Sequence, residues 1–441
     1  MDKLRISVFC LALVYLGSWI GFAEAGRRGH LVQQKPDPKD AVATARWLVS
    51  QNNWGVLSTI SSELGGAPFG NVVSFSDGLP NKGHGVPYFY LTTLDPTARN
   101  GMKDARSSFT VSEFPIGTCG KKDPENPTCA KLTLTGKDLF NSSKYLFSAD
   151  SDVIPYHTHV RIHVLQPPGI ESTRTYSRGY LDVTMADLST FKLVDVNSKE
   201  ASFAKDALFA KHPEMKGWPK GHDFQIFKLE IEDIFLIDWF GGPKPITVAQ
   251  YLRPRICIGF AEAGRRGLLV PHKPDHEDAV ATARWLISQN NWGVLSTISI
   301  DLGGAPFGKV VLFSDGLLDK GHGIPYFYKS SLDPTPRNAM KDARSSFAVS
   351  EFPIGTCGKK DPENPTCAKL TLTGKLKLVD INSKEASVAK EVLFATHPEM
   401  KYWPKDHNFQ IFKLEIEDIF LVNWFGGAKP ITVAQYLRPR M

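Results

Sequence analysis

Val111–Lys137 reads VSEFPIGTCGKKDPENPTCAKLTLTGK, and Val349–Lys375 repeats it letter for letter. The correspondence extends in both directions, from IGFAEAGRRG at Ile20 and Ile258 to YLRPR at Tyr251–Arg255 and Tyr436–Arg440. Solenoid repeats run to about 20–50 residues, so a unit of this length is a whole domain in tandem. A chain of 441 residues also exceeds what one hydrophobic core usually serves. Two domains are expected, able to pack as a built-in dimer.

Composition is that of ordinary globular protein, with 42% hydrophobic and 22% charged residues. A net charge of +6 and the absence of any Lys/Arg run give no footprint for nucleic acid. The N-terminus has the layout of an export signal. Lys3 and Arg5 precede an apolar stretch from Ile6 to Ile20, and Ala23-Glu24-Ala25 offers small residues for cleavage. The stretch is shorter than the roughly 20 residues a bilayer core requires, and no later segment reads as a membrane span. The expectation is residues 1–25 as signal peptide and a secretory-pathway location, extracellular or lysosomal/vacuolar.

Cysteine usage suits an oxidising compartment. Cys119 and Cys129 bracket nine residues, and Cys357 and Cys367 bracket the same nine. Two prolines and a glycine fold that segment back, which predicts a local disulfide in each copy. A metal site is the rival, with too few ligands because no His lies nearby. Cys257 is left over in the linker.

Within one copy, Ala41–Gln51 has the apolar spacing of an amphipathic helix. Asp95 precedes Pro96 as an N-cap for a helix to Ala105, and Lys199–Lys211 reads as a further helix. Trp54–Ile60, Phe69–Phe75, Pro87–Thr93, Ser107–Ser112, Lys131–Lys137 and Gln225–Phe240 read as strands. This predicts a mainly β, α+β fold: a small antiparallel barrel with helices packed outside.

Five runs together resemble the CREG (cellular repressor) family: GVLSTIS, PFGNVVSFSDG, GVPYFYLTTLDPTARN, KHPEMKGWP and IFLIDWFGG. That family belongs to the FMN-binding split-barrel superfamily, with the pyridoxamine phosphate oxidases, and this chain resembles its plant variants. The resemblance implies two tandem split barrels packed as an intramolecular pseudo-dimer, over residues 41–252 and 278–441 with a linker at 253–277. It also implies where FMN would sit, at the barrel interface. The phosphate-holding residues would be Tyr90, Thr92, Thr93, Arg99, Asn100 and Lys103, matched in the second copy by Tyr328, Ser330, Ser331, Arg337, Asn338 and Lys341. Hydroxyls, a guanidinium and a helix N-terminus suit a phosphate. The flavin ring would lie against Gly70–Ser74, with Trp239 nearby. The animal CREG members imply a different reading: no FMN, an occluded pocket, and a secreted or endolysosomal protein that binds a protein partner or receptor.

No catalytic residue stands out. The HPEM segments (His212–Met215, His397–Met400) read as helix ends, because proline disfavours helix in the residue before it. Trp218 and Trp403 are expected to pin the following loop to the barrel, and Asp77 and Asp315 to sit in turns.

The copies differ by 53 residues, 138–190, which resemble neither repeat nor family and interrupt one strand or hairpin. That segment carries Asn141-Ser142-Ser143, a glycosylation acceptor, and His157, His159 and His163 at one-face spacing. Closing a long loop costs little more than closing a short one, so the barrel is expected to survive. Asn71, Ser74, Leu91 and Ala98 become Lys309, Leu312, Lys329 and Pro336, so the two interface sites should differ.

Overall fold

The computed structural model describes residues 31–80, 82–136, 191–253, 260–262, 272–317 and 321–438. The signal segment, the 138–190 segment with Asn141 and its three histidines, and Cys257 lie outside the described residues.

Chain order in the first copy is β1 (Leu31–Gln33), α1 (Ala41–Gln51), β2 (Trp54–Ser61), β3 (Ala67–Ser74), β4 (Tyr88–Thr92), α2 (Pro96–Lys103), β5 (Ser107–Ser112), β6 (Lys131–Gly136), β7 (Phe191–Leu193), α3 (Lys199–Lys211), β8 (Phe224–Leu229), β9 (Asp233–Ile237) and α4 (Val248–Leu252). The second copy follows with β10 (Phe260–Glu262), α5 (Ala279–Gln289), β11 (Trp292–Ser299), β12 (Ala305–Leu312), β13 (Tyr326–Ser330), α6 (Pro334–Lys341), β14 (Arg344–Ser350), β15 (Lys369–Leu378), α7 (Lys384–Thr396), β16 (Phe409–Val422) and α8 (Val433–Leu437). The helices begin where capping chemistry places them. Asp40, Asp95 and Ser198 accept from the backbone N–H of Ala43, Thr97 and Ala201.

In the second copy one antiparallel sheet runs β12-β11-β14-β15-β16-β13. In the first copy the same circuit is divided into β3-β2-β5-β6-β9 and β4-β8-β7. The division falls at the 53-residue difference: β15 is continuous where β6 and β7 are separate. The Gln225–Phe240 run, read as a single strand, is likewise split into β8 and β9, while its match β16 is unbroken. Register is nevertheless kept on both sides of the break. Thr135 pairs with Asp233 as Thr373 pairs with Asp418, and Lys192 pairs with Lys228 as Lys377 pairs with Lys413.

β2 and β3 are buried along their whole length because they face two cores. Leu57 and Val73 point into their own barrel, beside Trp47, Phe75, Phe89 and Phe109. Trp54, Val56 and Val72, on the alternate face, pack with Trp292, Val294, Val310 and Leu312 of the other copy. Ser58 Oγ meets its own counterpart, Ser296 Oγ, at 2.8 Å, so a pseudo-twofold axis passes between them. The two barrels therefore form an internal pseudo-dimer. Around the axis the backbone of Gly70 and Gly308 is bonded across the interface: Ser346 and Ser108 hydroxyls accept from the two amides at 3.0 and 3.2 Å, and Thr371 and Thr133 donate to the two carbonyls at 2.5 and 2.7 Å.

Candidate functional site

The nine residues between each cysteine pair form a braced loop. Cys119–Cys129 and Cys357–Cys367 are disulfides, each with Cα atoms 5.1 Å apart. The chain enters the first loop through Gly117 at φ 90°, a conformation that suits glycine. Buried Glu113 accepts from Ala130 N, Thr118 Oγ1 and Lys35 Nζ at 2.6–2.8 Å. Buried Lys131 donates to the carbonyls of Asn126 and Cys129 at 2.8 and 2.9 Å. Burial pushes the Lys131 ammonium down to about 7, with Glu125 the largest opposing influence. So held, each loop carries an Asp-x-Glu pair into the opposite barrel: Asp361 and Glu363 into the first, Asp123 and Glu125 into the second.

In the first cleft His212, the C-cap residue of α3, is buried. Its Nε2 lies 2.9 Å from Phe75 O and its Nδ1 2.6 Å from Asp361 Oδ2. The Ser74 hydroxyl donates to the other Asp361 oxygen. Burial pushes the Asp361 carboxyl up, but the bond and charge of His212 and the Ser74 hydroxyl outweigh it, and the net direction is downward. Glu363 Oε2 accepts Ser74 N at 3.0 Å. Burial pushes the Glu363 carboxyl up to about 8, beyond what Lys369 offsets, and the Asp95 and Asp361 charges add to the rise. No lysine stands where the second barrel has two: those positions are Asn71 and Leu91.

The second cleft reverses the assignment. Lys329, with its side chain 1% exposed, pairs with Glu125 across the interface and with Asp333, 3.4 Å away. Lys309 also pairs with Asp333. Burial would lower the Lys329 ammonium, yet Glu125 and Asp333 raise it, and the two lysines hold Asp333 well below the ordinary carboxylate value despite its burial. Leu312 stands at the Ser74 position and has no hydroxyl to donate; its amide donates to Glu125 Oε2 at 3.0 Å. His397 faces its own Glu399 at 3.5 Å rather than the opposing loop. Asp123 is accordingly pushed up, by burial first and then by Glu399 and Glu125. In the first cleft the Asp is favoured as the anion and the Glu as the acid. In the second the Glu is lysine-paired and the Asp is the one raised.

Most of the residues expected to hold phosphate have partners of their own. Tyr90 stacks on Trp218 and Phe224, and Tyr328 on Trp403 and Phe409, with centroids 5.0–6.0 Å apart. Both tryptophans thus fix the loop after the HPEM segment. Thr92 donates to His222 O and Ser330 to His407 O. Arg99 Nη1 donates to Thr93 O and Leu94 O at 3.3 and 2.8 Å. Asn100 and Asn338 turn inward to Thr59 and Thr297 at 3.3 and 3.1 Å. Lys103 and Lys341 are exposed beside Glu63 and Asp301, and Ser331 and Arg337 are exposed on the turn and helix α6. Gly70–Ser74 lies under the other barrel, with Lys369 Nζ 3.2 Å from Val72 O. Trp239 is half-exposed against Phe240. Asp77 and Asp315 cap their turns, accepting from Gly85 N and Gly323 N at 3.2 and 3.0 Å.

His212, Asp361 and Glu363 escape a sequence reading. Their partners lie 149 and 289 residues away, and the loop sequence is identical in both copies. The substitutions at positions 71, 74 and 91 were the available signal.

Residues 36–150, 188–253 and 274–438 match the sequence description of the family named "CREG, beta-barrel". The chain belongs to the CREG β-barrel family. Protein CREG1 of Gallus gallus is 35% identical over 187 residues, spanning 41% of this chain and 94% of that protein. Protein CREG2 of Homo sapiens is 37% identical over 162 residues, and the match spans 36% of this chain and 55% of that protein's length. Among solved structures, a heme binding protein from Mycobacterium smegmatis aligns at 22% identity and a TM-score of 0.31, covering 36% of this CREG chain and 60% of its own.

Proposed function

We propose that this CREG-family chain is a non-catalytic binding protein of the secretory pathway, working in an extracellular or lysosomal/vacuolar compartment through a protein partner on its barrel surface. The supporting observation is what covers Gly70–Ser74. That strand is hydrogen-bonded to Ser346, Thr371 and Lys369 of the second barrel and to Glu363 of its acidic loop. A flavin ring there would have to displace a buried interface and the Glu363 carboxyl bonded to Ser74 N. The disulfides suit the oxidising compartment. Glu363, an acid that favours its neutral form, suits an acidic one.

The second reading is an FMN-dependent oxidoreductase using Tyr90, Thr92, Thr93, Arg99, Asn100 and Lys103 and their matches. An absorbance and fluorescence scan of purified protein, with and without added FMN, separates the two. A colourless protein that leaves FMN fluorescence unchanged is the expected result. Flavin at one or two per chain, lost on Arg99→Ala or Arg337→Ala, would overturn the non-catalytic reading.

A further inference from the structure

Lys35 and Lys273 occupy equivalent positions with unequal surroundings. Lys35 Nζ donates to Glu113 Oε2 at 2.6 Å and Thr128 O at 2.9 Å, and it is ion-paired with Asp238, 3.0 Å away. An ammonium has three protons, and here two carboxylates, Glu113 and Asp238, balance its charge. Lys273 Nζ keeps the first two, Glu351 Oε2 at 2.5 Å and Thr366 O at 2.9 Å. The second carboxylate is missing because Asn423 stands where the first copy has Asp238. The Asn423 amide turns away to His276 O at 2.9 Å and Thr282 Oγ1 at 3.3 Å.

Beside Lys273 opens a cavity of about 250 Å³, also lined by Lys360, His276 and Trp424. Lys360 Nζ has Thr366 Oγ1 at 2.7 Å and two further protons to donate. The charges on the wall are two lysines against one carboxylate, Glu351, which already accepts from Lys273, Thr356 and Ala368 N. His276 and Trp424 are stacked at 4.0 Å and supply an aromatic part of the same wall.

We propose that this cavity of the second barrel binds a small, flat organic carboxylate, its oxygens taking the vacant donors of Lys273 and Lys360 and its body lying against His276 and Trp424. One surplus positive charge matches a monoanion, and ammonium–carboxylate bonds are among the stronger hydrogen bonds. The aromatic wall favours a planar organic body over an inorganic ion. The first barrel lacks this capacity because Asp238 supplies the anion internally and Pro38 stands in place of His276.

The test is calorimetric titration of the full chain with benzoate, with acetate and inorganic phosphate as competitors. One benzoate per chain, at a dissociation constant of about 1 mM or tighter, is expected. Asn423→Asp, which installs the first barrel's own ion pair, should weaken binding at least tenfold, and Lys360→Met should do the same. Wild-type binding too weak to saturate, undiminished binding in Asn423→Asp, or phosphate competing as well as benzoate would each overturn the assignment.

Discussion

Lys329 of the second barrel is ion-paired with Glu125 of the first barrel's disulfide loop, while the position equivalent to Lys329 in the first barrel is Leu91. One substitution thus decides whether a buried carboxyl has a cation. Removing one member of a buried pair strands the other, at about 3–5 kcal/mol. Lys329→Leu should therefore destabilise the protein by about 3 kcal/mol at pH 7. The loss should be smaller at pH 5 than at pH 7, because a buried carboxyl without its cation takes up a proton more readily. Urea midpoints at the two pH values measure this; equal losses at both would mean that the charge is immaterial.

Glu363 supplies the opposite case. Its folded pKa of about 8 lies above the ordinary value of 4.5. Between those limits the folded protein holds a proton that the unfolded chain releases, so the acid's contribution is full below pH 4.5 and is lost as pH rises toward 8. Glu363→Gln keeps a neutral acceptor for Ser74 N and removes the titration. The variant should match wild type at pH 4.5 and exceed it at pH 8 by a few kcal/mol at most. The difference between their stability–pH curves is the readout, and parallel curves would refute the assignment.

The Cys357–Cys367 bridge holds Asp361 and Glu363 in the first cleft. Replacing both cysteines with serine should cost about 2–3 kcal/mol through loop entropy. It should also flatten the pH dependence attributed to Glu363, because the loop that buries it is released. Denaturation of the double variant at pH 5 and pH 8 tests both effects together.

At Gly308 an added Cβ would lie 2.6 Å from Thr110 Oγ1 and 3.2 Å from Ser58 Oγ, both in the other barrel. Gly308→Val should cost about 1–3 kcal/mol by overpacking the interface. Small-angle scattering should show the two barrels moving apart if the strain is released that way. A variant as stable and compact as wild type would contradict the close approach.

Because the internal interface already occupies the face that would otherwise pair two chains, the full chain should sediment as a monomer. A stable dimer at micromolar concentration would indicate exchange of barrels between chains.

The sequence by itself determined the duplication, most of the strands and helices, the Asp95 cap and the disulfides, because these depend on residues close together in the chain. Asp95 caps α2 and Cys119 meets Cys129 through short-range geometry. The family was legible for the same reason: its signature runs lie within single strands and turns. The clefts were decided only by the tertiary structure. The loop sequences CGKKDPENPTC are identical, yet Asp361 meets His212 and Ser74 while Asp123 is set against Glu399. A carboxyl's charge state depends on burial and on partners brought in from the other barrel. Nothing local encodes that meeting, which exists only once the two copies have closed on each other about the axis at Ser58 and Ser296.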